Sequence, residues 1–143
     1  LVQLSLRGQS KAVDAVRTNL DKLERSLQRI VENITELNAR KESINVYDVH
    51  DRIDELFMVD LDTFVENRES IGHAFGLQTY ADVMTHFATA ERYLNRCWSA
   101  SADGYVDEVQ TCLTRAVAHF SAARQRLDQA IQDQQAATFH ISS

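Results

Sequence analysis

Apolar residues recur at alternating steps of three and four over the first third of the chain. This spacing is the a/d pattern that keeps one stripe of a helix apolar and packs it against a partner helix. We therefore predict a first helix over about residues 10–44, with residues 1–9 as an arm before it. Its apolar stripe consists of Val13, Val16, Leu20, Leu23, Leu27, Ile30, Ile34 and Leu37.

A second apolar series follows the Asn45–Asp48 pattern, which resembles a helix-capping box, and ends at Gly76, a residue type that often ends helices. Its steps are less regular, and we expect a break near residues 67–70. The helix boundaries are least defined at residues 41–46 and 67–79.

Two more series predict a third and a fourth helix. The third starts after Thr79, which stands three residues before Asp82 as a second capping pattern, and it ends at Gly104. The fourth starts at Val106 and frays from about residue 138. Alanines occupy alternate positions of the fourth stripe, which predicts close packing against a stripe of large residues such as that of the first helix.

These four series predict an all-α fold, an up-down antiparallel bundle of about four long helices with coiled-coil-like packing. Short connections make neighbouring helices antiparallel. The chain has 143 residues, no proline and four glycines, which suits one domain over residues 1–143 built from long helices.

Residues 104–117 resemble the second helix of a tetratricopeptide repeat. Gly104 opens the turn, Asp107 and Glu108 start the helix, and Ala116 is a small residue that would receive a neighbouring helix. No unit recurs at the spacing of about 34 residues that such arrays show. We interpret the stretch as one helical hairpin and do not extend the peptide binding of that family to this chain.

Negative charge is concentrated in one part of the chain. The net charge is −6, and four of the acidic residues stand together at the start of the second predicted helix: Asp48, Asp51, Asp54 and Glu55. A nucleic-acid-binding surface needs a basic stripe, which this sequence lacks. The sequence therefore favours a non-enzymatic module that binds a basic protein partner or self-associates, with these four residues as the candidate binding site.

No run of eighteen apolar residues occurs, so no membrane span is predicted. Cys97 and Cys112 lack the spacing of a metal or redox motif, and we expect their thiols to lie apart and reduced, as in a cytoplasmic protein. No cofactor is predicted, because no haem-attachment motif or phosphate-binding glycine-rich loop is present.

Two carboxylate–histidine pairs support an alternative function. His50 precedes Asp54, and Asp82 precedes His86, by one helical turn. An imidazole and a carboxylate at this spacing can ligate zinc or orient another ligand. The alternative is thus a four-helix bundle that binds a metal or a small ligand through His50, Asp82 and His86.

A third hypothesis is histidine phosphotransfer through His119, because domains of that class are also four-helix bundles. Ala122 and Ala123 stand where that class has its lysine and glycine, which weakens the expected phosphate stabilisation. Near the end of the predicted hairpin, Trp98 could line a pocket together with Tyr93 and Tyr105.

Overall fold

The chain forms an all-α bundle, in agreement with the prediction. The computed structural model describes the backbone of residues 6–142 and the side chains of residues 8 and 10–139. Most of the predicted arm, residues 1–5, lies outside this part. The described residues form α1 (Leu6–Ala39), a 3₁₀ helix (Val46–Asp48), α2 (Val49–Asn67), α3 (Glu69–Phe75), α4 (Leu77–Asp103) and α5 (Val106–Ser142).

Neighbouring helices are antiparallel, because residue numbers rise along one helix as they fall along its partner. α1 packs against α2 and α5, and α4 packs against the same two helices, which closes the bundle. Pairs in contact are Arg29–Asp60 and Asn33–Leu56 for α1 and α2, Phe64–Phe87 and Asp54–Trp98 for α2 and α4, and Asp82–Arg126 and Cys97–Val109 for α4 and α5.

The second predicted helix is two helices, so the described residues contain five α-helices where the sequence predicted four. The break falls at Arg68, inside the expected interval, and the Arg68 guanidinium donates to the Val65 carbonyl over 2.8 Å. α3 contacts both α1 and α4, as α2 does, so α2 and α3 together take the place of one helix of a four-helix bundle. Gly76 ends α3 with φ +94°, as its position predicted.

The core follows the predicted stripes along most of their length. Phe87 is fully buried, stacks on Phe64 with ring centroids 4.1 Å apart, and meets Phe120 edge-on at 5.6 Å. In α1 the stripe is buried from Leu23 onward, whereas Val13 is 59% exposed. The apolar periodicity therefore identified the buried face but not how far along α1 the packing extends.

α5 packs against both α1 and α4, so the expected neighbour α1 is one of two. α5 makes its most extensive contact with α4. Both helices bury small residues, which allows their backbones to approach closely. The residues concerned are Ala90, Cys97 and Ala100 of α4, and Cys112, Ala116, Ala123 and Ala130 of α5.

Two predicted helix starts are displaced. The Asn45 side chain accepts from the Tyr47 N–H over 2.9 Å, so it caps the 3₁₀ helix and not α2. α4 begins at Leu77, directly after Gly76, and Thr79 is buried within it as an acceptor for Arg126 of α5. α5 continues as helix to Ser142, through the tail that was expected to fray.

Candidate functional site

The start of α2 is joined to the end of α4 by one buried serine. Ser101 is fully buried, and its hydroxyl donates to the Val46 carbonyl over 2.6 Å. The same oxygen accepts from the His50 backbone N–H over 2.8 Å, and Nδ1 of the His50 ring lies 3.3 Å away. Ser101 thereby fixes the 3₁₀ helix and the first turn of α2 against α4.

Ser101, His50 and Asp51 have the residue types of a nucleophilic triad but not its geometry. Nε2 of His50 lies 3.4 Å from the Asp51 carboxylate. The Ser101 hydroxyl hydrogen, however, is donated to Val46 and not to the imidazole, and the oxygen is closed to solvent. A nucleophile needs its proton directed at the base and its oxygen open to substrate. We therefore assign this set a structural role.

Trp98 stands beside this junction and is partly exposed. Its Nε1 donates to Asp54 over 3.0 Å, and its ring meets the His50 ring edge-on at 5.5 Å. Trp98 is the only tryptophan in the sequence, and 39% of its surface is exposed. Asp54 therefore contacts Trp98, and the predicted pairing of His50 with Asp54 is replaced by His50 with Asp51.

Tyr47, in the 3₁₀ helix, is a second exposed aromatic residue and lies at the turn between α4 and α5. Its ring lies directly against Gly104, where an added side-chain carbon would come within 2.6 Å of Cζ of Tyr47. Gly104 has φ +78°, and the N–H groups of Gly104 and Tyr105 close the end of α4 on the Ser101 and Ala100 carbonyls. This backbone pattern is the glycine-dependent helix end known as the Schellman motif.

The four predicted acidic residues are exposed along one face of this region. Asp51, Asp54 and Glu55 lie within the first two turns of α2, away from its buried face, and Asp48 is the last residue of the 3₁₀ helix before it. We define the aromatic–acidic corner as the surface formed by Tyr47, Asp48, Asp51, Asp54, Glu55 and Trp98. Both rings and all four carboxylates of this surface are exposed.

The predicted metal or ligand residues do not form one site. His50 lies between α2 and α4, whereas Asp82 and His86 face α5. Asp82 accepts from Gln78 over 2.9 Å and from Arg126 over 3.1 Å, and these bonds lower the pKa of its carboxyl. No group of three or more potential metal ligands occurs among the described residues.

The structure brings together two histidines that the sequence had assigned to different hypotheses. The rings of His86 and His119 are 6.2 Å apart, across the α4–α5 contact. His119 also stacks on Tyr93, with centroids 5.6 Å apart and planes 13° from parallel. Tyr93 thus faces α5 and Trp98 faces α2, so these two rings do not share the pocket expected from their spacing.

The two cysteines lie on the neighbouring helices α4 and α5, and they form no disulfide, as expected. Both thiols are free and buried, and each lies at the α4–α5 contact on its own helix. Burial raises the pKa of Cys97 to about 12, with a smaller effect from Cys112 beside it. Burial and the Glu108 carboxylate raise the pKa of Cys112 to about 11.

The sequence analysis missed Ser101, Arg96 and Arg115; the guanidinium carbons of the two arginines lie 5.6 and 5.7 Å from the centroid of the Tyr93 ring. A serine at a core position of an otherwise apolar stripe was the available signal for Ser101. Arg96 stands one turn after Tyr93 on α4, a spacing that the sequence shows, whereas Arg115 belongs to α5 and reaches the Tyr93 ring only through packing.

Comparisons with models of protein families, with curated proteins and with solved structures found no match to this chain. Among the described residues, no helix has an apolar stretch of the kind that crossing a bilayer requires.

Proposed function

We propose that this chain is a non-enzymatic protein-interaction module that binds a basic, amphipathic segment of its partner at the aromatic–acidic corner. The observation that carries the proposal is the setting of Trp98. Its ring is partly exposed, yet Asp54 and His50 hold it in one orientation. The residues that dominate the binding energy of protein interfaces are enriched in tryptophan, together with tyrosine and arginine.

The chemistry of the corner specifies the class of partner. The rings of Tyr47 and Trp98 offer apolar contact area and π faces, which attract alkyl chains and cations. The adjacent carboxylates of Asp48, Asp51 and Glu55 attract lysine and arginine and disfavour acidic partners. A helix with apolar residues on one face and basic residues beside them satisfies both requirements.

Trp98 is also the reporter for a direct test. Because it is the only tryptophan, its fluorescence emission reports occupancy of the corner. We expect a saturable change in emission when a synthetic amphipathic helix of leucine and lysine is titrated into the protein. A peptide with glutamate in place of lysine should not produce it. Unchanged emission with the lysine peptide would contradict the proposal.

A charge-matched pair of variants separates local recognition from net charge. In the first variant the corner is neutralised by Asp48→Asn, Asp51→Asn, Asp54→Asn and Glu55→Gln. In the control, four exposed acidic residues of α1 are neutralised by Asp14→Asn, Asp21→Asn, Glu32→Gln and Glu36→Gln. We expect peptide affinity to fall roughly tenfold or more in the first variant only, since several exposed charge contacts are lost together. Equal losses in both variants would show that only net charge matters.

A further inference from the structure

A second exposed surface, on the α4–α5 side of the bundle, has the opposite chemistry. The guanidinium carbon of Arg96 lies 5.6 Å from the centroid of the Tyr93 ring, and that of Arg115 lies 5.7 Å from the same centroid. His119 stacks on this ring, and His86 follows it along the helices. We define the Arg–Tyr strip as Arg96, Arg115, Tyr93, His119 and His86.

The two arginines of the strip are oriented but not neutralised. A guanidinium near an aromatic ring is held by the attraction of its charge to the ring, while its N–H edge keeps its capacity to donate to a carboxylate. Neither Arg96 nor Arg115 has an ion pair with another described residue. The carboxylates that line a surface depression with Arg96 are those of Asp103, Asp107 and Glu108. None of them forms a described ion pair with either arginine, and Glu108 accepts from Cys112.

The strip and the aromatic–acidic corner cannot meet within one molecule. Trp98 and Asp54 lie where α4 faces α2, whereas Tyr93 and Arg115 lie where α4 faces α5. The body of α4 separates the two surfaces. Their charges are complementary, and contact between them therefore requires two molecules.

We propose that the Arg–Tyr strip binds the aromatic–acidic corner of a second copy of this chain. This inference rests on the proposed function, because it names the partner that the corner recognises. Arg96 and Arg115 pair with carboxylates such as Asp51 and Glu55, which stand one turn apart on α2 and can each accept from one guanidinium. The contact is head-to-tail, since each molecule uses a different surface toward each neighbour.

Sedimentation velocity of the full chain over a dilution series tests the proposal. We expect the wild type to associate at low salt and to dissociate at high salt, which screens exposed charges. A corner-reversed variant, Asp51→Lys with Glu55→Lys, should be monomeric. A strip-reversed variant, Arg96→Glu with Arg115→Glu, should be monomeric as well. Each reversal should weaken association roughly tenfold or more, since two attractive pairs become repulsive.

Mixing the two variants makes the test specific. Each variant repels its own copies. In the mixture, the lysines of the corner-reversed variant face the glutamates of the strip-reversed variant. The other contact, between the unchanged strip of the first variant and the unchanged corner of the second, is the same as in the wild type. We expect the equimolar mixture to regain association that neither variant shows alone. Circular dichroism of each variant, matched to the wild type, shows that the loss is not caused by unfolding.

Two results would overturn the inference, and they differ from failure of the proposed function. A wild type that stays monomeric at low salt excludes self-docking, and so does a mixture that fails to associate. If the lysine peptide still changes Trp98 emission in that case, the corner remains an interaction site for a different protein. If the peptide also fails, both proposals are wrong.

Discussion

The contact between Gly104 and Tyr47 allows a quantitative test of how the corner is built. Gly104 has a left-handed backbone at the end of α4, with φ +78° and ψ +23°. Alanine in this conformation costs about 1 kcal/mol. In Gly104→Ala the new Cβ would also lie 2.6 Å from Cζ of Tyr47, so the tyrosine ring has to leave its position.

The second part of the cost follows from the burial of Tyr47. The side chain is 57% exposed, so its contacts in the corner cover somewhat less than half of it. A tyrosine that buries about 150–250 Å² when enclosed would then return roughly 80 Å² to solvent. At ~25 cal/mol per Å², the loss is at most about 2 kcal/mol. We expect Gly104→Ala to lower the free energy of unfolding by about 2–3 kcal/mol in total.

A double-mutant cycle separates the two parts. Urea unfolding is measured for the wild type, Gly104→Ala, Tyr47→Ala and the double variant. Without the tyrosine ring, Gly104→Ala should cost only the backbone part, about 1 kcal/mol, so the two substitutions are coupled by roughly 1–2 kcal/mol. If the effects of the two substitutions add to within about 0.5 kcal/mol, the reasoning is refuted. That result would show that the position of the Tyr47 ring does not depend on the absence of a side chain at Gly104.

Three further predictions concern the two buried cysteines and the Arg29–Asp60 pair. The pKa values of Cys97 and Cys112 are raised to about 12 and about 11, so both thiols stay protonated at pH 8. We therefore expect iodoacetamide at pH 8 to modify these cysteines only after the chain unfolds. Rapid alkylation of the folded chain would contradict their burial. The two thiols ionise more easily in the unfolded chain than in the folded one. The free energy of unfolding is therefore highest below about pH 8.5 and decreases as the pH rises toward 11. Urea unfolding measured at increasing pH tests this. Arg29 donates to the nearly buried Asp60 over 2.9 Å, and Arg29→Ala should cost about 1–2 kcal/mol, less than a fully buried pair because Arg29 is half exposed. Urea unfolding indistinguishable from the wild type would show that solvent replaces the guanidinium.

The sequence by itself determined the fold class and the buried face of each helix. Leu23 and Leu37 lie on the α1 stripe that its periodicity predicted, and Gly76 and Gly104 end helices as their positions predicted. These features depend on residues that are close together along the chain. Helical periodicity and the backbone preferences of glycine act locally, so they can be recognised without knowing the partner helix.

The sequence also showed that the acidic residues of α2 would be exposed, but not what stands beside them. Asp54 was expected to pair with His50 one turn away, whereas it accepts from Trp98 of α4. The local pair competes with a donor that packing brings from forty-four positions along the chain. Spacing on one helix shows which residues can meet, and only packing shows which of them do.

Only the tertiary structure decided which helix each buried face meets. The small residues of α5 suit any close neighbour, and α5 packs against both α4 and α1, most extensively against α4. The same choice of neighbour placed Arg115 of α5 over Tyr93 of α4. The periodicity of one helix carries no information about the register of another. The aromatic–acidic corner and the Arg–Tyr strip are therefore products of how the helices pack together.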